Sequence, residues 1–268
     1  MKSGYLGVAS TAFFLAASFG VQAAPLMPDF AGIPTGWSTD RYDPASFSNV
    51  GTYQGRDNVL GIGISTSDDL ASRPAAFQSS FYNTQGKQHS ISGGAGSSLG
   101  ADLFVDTAWR TGANGNVRTD MWGVMTDGVS VSDYVIIGFT NYGAAGARYR
   151  VWDSDLNAGN GDWVDLVTAV NFGGWTSFDI VFDGASYDYL LDGVSVFTDN
   201  TINGSTGFSA TIMQAYNFGD PAFLPGAVSA NYVANWSNVQ AATVPEPTSL
   251  ALIGLALAGL AVSKRRKS

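Results

Sequence analysis

Carboxylates and tryptophans make up nearly all of the side chains in this sequence that could do chemistry. There are twenty-one aspartates, one glutamate (Glu246), one histidine (His89) and no cysteine. Without cysteine, thiol chemistry and Cys-zinc sites are excluded. Any Ser-His-Asp triad would have to use His89. That residue sits in Gly86-Lys87-Gln88-His89-Ser90 with no G-x-S-x-G elbow elsewhere, so it reads as a solvated loop histidine. Glycosidic hydrolysis needs two carboxyl groups in different protonation states, often in an E-x-D-x-x-E run. No such run exists before Glu246. An aspartate pair stays open, but no pair stands out, and the chain is expected not to be an enzyme.

Two neighbouring stretches point to binding. The run from Asp153 to Asp162 alternates Asp153, Asp155 and Asn157 in a glycine-rich loop. Hard cations take six to eight oxygens, so this spacing admits calcium as a cofactor, with a solvated Asx-rich turn as the alternative. Ala158 and Val164 stand where an EF-hand needs glycine and glutamate, which excludes that motif. Just before it, Arg148-Tyr149-Arg150-Val151-Trp152 alternates. On a strand, Tyr149 and Val151 would face one side and Arg148, Arg150 and Trp152 the other. An indole beside guanidinium groups suits a sugar ring and its hydroxyls or uronic carboxylates. The alternative is that Trp152 packs under a loop while the arginines pair with aspartates. Trp109 and Trp163 read as core residues.

The elements that would position these groups are strands. Twenty-eight glycines between residues 24 and 247, many Asp, Asn, Ser and Thr residues, and a near absence of Glu and Lys disfavour exposed helices. Val59–Ile64, Leu103–Val105, Met121–Met125 and Tyr134–Phe139 read as strands, and Ser90–Gly100 as a Gly/Ser-rich loop whose run from Gly94 to Gly100 is a flexible linker. From Trp175 to Thr198, alternating apolar residues flank Asp183-Gly184 and Asp192-Gly193, the signature of a β-meander. The predicted fold is all-β, an antiparallel β-sandwich or jelly roll over residues 37–239. The segment Trp175–Val196 is similar to laminin-G and concanavalin-A-like domains. That resemblance implies carbohydrate binding, in some members with calcium, and in others glycan hydrolysis.

Both ends carry targeting features. Residues 1–23 read as a signal peptide: Lys2, an apolar stretch from Leu6 to Val21, and a small-residue cleavage site before Ala24. Residues 24–36, with three prolines, form an exposed lead-in. Residues 240–268 contain Pro245-Glu246-Pro247, an unbroken apolar run from Leu250 to Val262, and Lys264-Arg265-Arg266-Lys267. The prolines keep the motif extended, the run can enter a bilayer as a C-terminal hydrophobic helix, and the four cations stop it at the cytoplasmic side. This tail resembles the PEP-CTERM sorting signal. The resemblance implies export, transient anchoring in the inner membrane, cutting by an exosortase partner and delivery to the cell surface or extracellular matrix. Export through the Sec machinery follows from the signal peptide. The alternatives are a retained anchor and a core helix.

Charge narrows the partners. Between residues 24 and 247, eight basic residues face twenty-two acidic ones, a net charge of −14 that disfavours nucleic acid. The reading is an exported surface or matrix protein whose non-catalytic sandwich binds polysaccharide. The alternatives are a structural matrix protein without a ligand and an aspartate-based glycan hydrolase.

Overall fold

The computed structural model describes residues 35–243, and within them fourteen strands form two seven-stranded antiparallel sheets. The signal peptide, nearly all of the lead-in, the Pro245-Glu246-Pro247 motif, the apolar run and the final cations lie outside the described residues. Among the described residues no helix is long and apolar enough to cross a membrane.

In the first sheet the order is β1 (Trp37–Thr39), β4 (Thr84–Gly93), β13 (Gly207–Tyr216), β6 (Arg118–Thr126), β7 (Val131–Thr140), β8 (Arg148–Asp153) and β9 (Asp162–Asp165). In the second it is β12 (Val194–Asp199), β11 (Tyr187–Leu191), β10 (Gly174–Phe182), β5 (Ser97–Val105), β14 (Tyr232–Thr243), β3 (Leu60–Ile64) and β2 (Ser46–Asn49). Period-two alternation sends one face of each sheet into a shared core. The meander illustrates this: Phe178, Ile180 and Phe182 on β10 lie opposite Leu191, Tyr189 and Tyr187 on β11, and all six are buried. Asp192 and Gly193 turn the chain with φ of 50° and 75°, the left-handed pair that a two-residue hairpin requires.

Polar bonds tie the sheets across the core. The fully buried Trp236 on β14 donates its indole N–H to Thr119 Oγ1 on β6 at 2.9 Å. Tyr149 on β8 and Thr176 on β10 share a hydroxyl bond of 2.9 Å. Each satisfies a polar atom whose burial alone would cost about 1–3 kcal/mol.

Two expectations need correcting here. Ser90–Gly100 is not a loop with a flexible linker: β4 runs to Gly93, β5 starts at Ser97, and only a turn closed at Gly96 (φ 81°) separates them. Its Gly and Ser residues are ordered because β5 is paired on both sides, with β10 and β14. His89 is not a loop residue either. It lies on β4 opposite Trp37, with ring centroids 5.4 Å apart.

Candidate functional site: an aromatic groove and an acidic cluster

The register of five adjacent strands brings Ile212, Trp122, Ile136, Trp152 and Trp163 into one row. Their sequence neighbours Met213, Met121, Ile137 and Val151 are in the core, so the row lies on the outer face of the first sheet. There Trp122, Val124, Ile136 and Ile212 form a separate apolar cluster edged by Trp152 and Trp163. With strands about 4.8 Å apart, five of them carry the row across about 19 Å. Four of its members, Trp122, Ile136, Trp152 and Trp163, form the floor of a groove of about 480 Å³, within the usual range for ligand sites. Arg41, Phe81, Tyr134 and Phe223 build the walls, and Phe81 and Phe223 are more than half exposed. Phe81 comes from a connection between β3 and β4 made of short 3-10 turns.

The rings are set at angles to one another: Trp152 and Trp163 lie 5.3 Å apart at 69°, Trp122 and Tyr134 5.9 Å apart at 74°. Arginines cap them. The Arg41 guanidinium lies 4.8 Å from the centroid of Trp122 and 4.6 Å from that of Phe81. Arg118 lies 4.7 Å from Trp163, and Arg150 lies 3.6 Å from it.

A polar row runs beside the apolar one: Gln214, Asp120, Gly138, Arg150 and Asp165. Asp120 is fully buried and accepts from Arg118 Nε at 2.6 Å and from Gln214 Nε2. A Cβ at Gly138 would collide with the Asp120 carboxylate and the Thr119 carbonyl, so a glycine lets that carboxylate lie flat. Arg150 is 7% exposed, and its Nε and Nη2 have no hydrogen-bond partner among the described residues. Burial, reinforced by Arg118, pushes its pKa down to about 9, which leaves it protonated at neutral pH.

Of the three residues predicted to share a binding face, only Trp152 lines the groove. Tyr149 and Val151 are core. Arg150 lies beneath Trp163, and Arg148 pairs with Asp165 at 2.6 Å while donating to the Tyr142 and Gly146 carbonyls. Trp109 is core, stacked on Phe139 at 5.7 Å, whereas Trp163, expected there too, is a groove residue. Sequence reasoning missed Arg41, Arg118, Trp122 and Tyr134. Trp122 is visible in the sequence only as part of an apolar run, and nothing local marks the face it takes.

The second constellation lies where β8 and β12 end. Carboxylate oxygens of Asp153, Asp155 and Asp199 lie within 4.8 Å of one another. Asp199 is buried and accepts from the Thr201 N–H at 2.8 Å. Burial, with Asp153, Asp155 and Asp133 nearby, pushes its carboxyl up to about 6. Asp155 Oδ2 is buried without a partner among the described residues. Asn157 is exposed in the turn, at φ 53°. Three converging carboxylates and an orphaned oxygen fit a hard divalent cation.

Comparison with known proteins adds two findings. Residues 243–267 match the PEP-CTERM protein-sorting motif, which marks an exported protein directed to the cell surface, with an exosortase as its processing partner. No curated protein matches the chain. Among solved structures, SCLam, a non-specific endo-beta-1,3(4)-glucanase from family GH16, is 12% identical with a TM-score of 0.53, over 84% of this chain and 92% of that one. LamA from Zobellia galactanivorans, in complex with laminaritriose and laminaritetraose, is 12% identical with a TM-score of 0.50, over 79% and 94%. An endo-acting O-glycanase of the human gut microbiota is also 12% identical with a TM-score of 0.50, over 80% and 95%. At this identity the likeness is one of fold, the concanavalin-A-like jelly-roll sandwich. It overturns the expectation that the chain is not an enzyme. That expectation rested on a missing glutamate run, and the sandwich is one on which endo-glucanases are built.

Proposed function

We propose that this exported protein binds polysaccharide, and that a glycan chain lies along the groove on the outer face of the first sheet. The observation that carries this reading is the single row of Trp122, Trp152 and Trp163 set across neighbouring strands. The apolar faces of sugar rings stack on indoles, and guanidinium groups at the rim donate to hydroxyls. From Trp122 to Trp163 the row crosses three strand spacings, about 14 Å, which suits several consecutive sugar units rather than one. The Sec machinery exports the chain, the C-terminal run holds it in the inner membrane, and an exosortase acts at Pro245-Glu246-Pro247. Asp153, Asp155 and Asp199 would hold calcium, whose charge would offset their mutual repulsion where β8 and β12 end.

Electrophoresis of the purified protein through gels containing single polysaccharides tests this. Wild type should be retarded by at least one, and Trp152→Ala and Trp163→Ala should migrate freely. Equal, unretarded migration of all three in every gel would favour a structural matrix protein without a ligand.

Glycan hydrolysis is the second reading, favoured by the endo-glucanases and the O-glycanase that share the sandwich. The candidate carboxylate is Asp120, in the polar row beside the groove floor and held by Arg118. Hydrolysis would need a second carboxyl group roughly 5–10 Å away. Release of reducing ends that disappears in Asp120→Asn, with binding kept, would establish this reading.

A further inference from the structure

We infer that the groove selects an acidic polysaccharide, one whose sugars carry carboxylate or other anionic groups. This rests on the reading of the groove as a polysaccharide site. The body has only eight cations against twenty-two acids, yet four of the eight, Arg41, Arg118, Arg148 and Arg150, gather on or beneath this one face. Their carboxylate partners are Asp40 on Arg41, Asp120 on Arg118 and Asp165 on Arg148. Among the described residues Arg150 has none: it is only 7% exposed, and its Nε and Nη2, the edge that grips a carboxylate in a two-point bond, are unpartnered. Arg41 has only its sequence neighbour Asp40, at 3.4 Å, and its guanidinium lies on Trp122 in the groove wall.

The like charges are also crowded. Burial lowers the pKa of Arg41, and Arg118 lowers it further against the opposing pull of Asp40. Arg118 and Arg150 both lie on the ring of Trp163. A neutral glycan would leave this local excess of positive charge as it is. An anionic one neutralises it, with Arg41 as the contact at the rim and Arg150 adding positive charge from beneath Trp163. The net charge of −14 over residues 24–247 sharpens the choice. A polyanion is repelled by the rest of the body, so retention of one requires this face.

The test uses polygalacturonate and the same polymer with its carboxyl groups reduced to alcohols, beside a neutral β-glucan. Wild type should be retarded roughly tenfold more strongly by polygalacturonate than by its reduced form, the scale of one charge-assisted bond, and added salt should weaken that retardation. Arg41→Gln should lose the preference with its melting temperature unchanged. Arg41→Lys should keep part of it, and Arg110→Gln, an equal charge loss away from the groove, should keep all of it. Equal binding to both forms of the polymer, or an unchanged preference in Arg41→Gln, overturns the assignment of an acidic ligand and leaves polysaccharide binding standing. Binding to none of the three polymers, or to others, removes both.

Discussion

Two tryptophans of one chemistry have opposite roles here, and truncation should separate them. Trp236 is fully buried and bonded to Thr119, so Trp236→Ala should cost about 3–5 kcal/mol. Trp152 is half-buried against Trp163 on the groove floor, so Trp152→Ala should cost about 1–2 kcal/mol. Urea denaturation midpoints measure both, and the smaller loss should come with the loss of gel retardation. A Trp152→Ala midpoint as low as that of Trp236→Ala would make the residue part of the core. Calcium belongs to this scale as well. Millimolar calcium should raise the melting temperature of the wild type and leave that of Asp153→Ala/Asp155→Ala unmoved. Asp199→Ala should behave like the double variant, since its carboxylate completes the group, and Asn157→Ala should behave like wild type.

At the scale of the element, glycines mark where strands need a turn and where they need room. Gly193, at φ 75°, has open space where a side chain would stand, so Gly193→Ala should cost only the left-handed strain, about 1–2 kcal/mol. Gly138 lies inside β7, two residues before its end, where a methyl group would meet the Asp120 carboxylate and the Thr119 carbonyl. Gly138→Ala should therefore cost on the order of 3 kcal/mol, the upper range of overpacking, and should also weaken glycan retardation by tilting β6. Thermal melts of the two variants, with the gel assay beside them, check the order. The meander of β10 to β12 is readable because its pairing is local and its turns carry Asp-Gly. The β4–β5 turn is not, because the pairing that orders β5 comes from β14, more than a hundred residues later.

For the whole molecule, route and body are separate problems. The sorting motif stands between sandwich and apolar run, so changing Pro245-Glu246-Pro247 to three alanines should keep full-length protein in the membrane fraction of an exosortase-bearing host. Fractionation followed by immunoblotting reads this, and equal release of the mutant would remove the motif from the route. The described body, meanwhile, needs no disulfide: two sheets of seven strands enclose one large core tied by Trp236 and Tyr149.

The tail is legible because Pro245-Glu246-Pro247, the apolar run and the final cations mark it by residue order alone. The all-β class is legible for a related reason: alternation and Asp-Gly turns act over a few residues. Arg148, Tyr149, Arg150, Val151 and Trp152 carry their two faces in the same way, and the core takes Tyr149 and Val151. The groove is not legible. Its floor takes one residue from each of four strands, Trp122, Ile136, Trp152 and Trp163, and only the register of strand pairing sets them side by side. Arg150 shows the limit at a single residue. Alternation sends it to the outer face, but only the packing of Trp163 from the next strand decides that it is buried there. Asp199 joins Asp153 and Asp155 by the same kind of meeting, between strands of different sheets. A period of two is written into the backbone of each strand, whereas the neighbour of a strand is chosen by burial and hydrogen bonding summed over the whole chain.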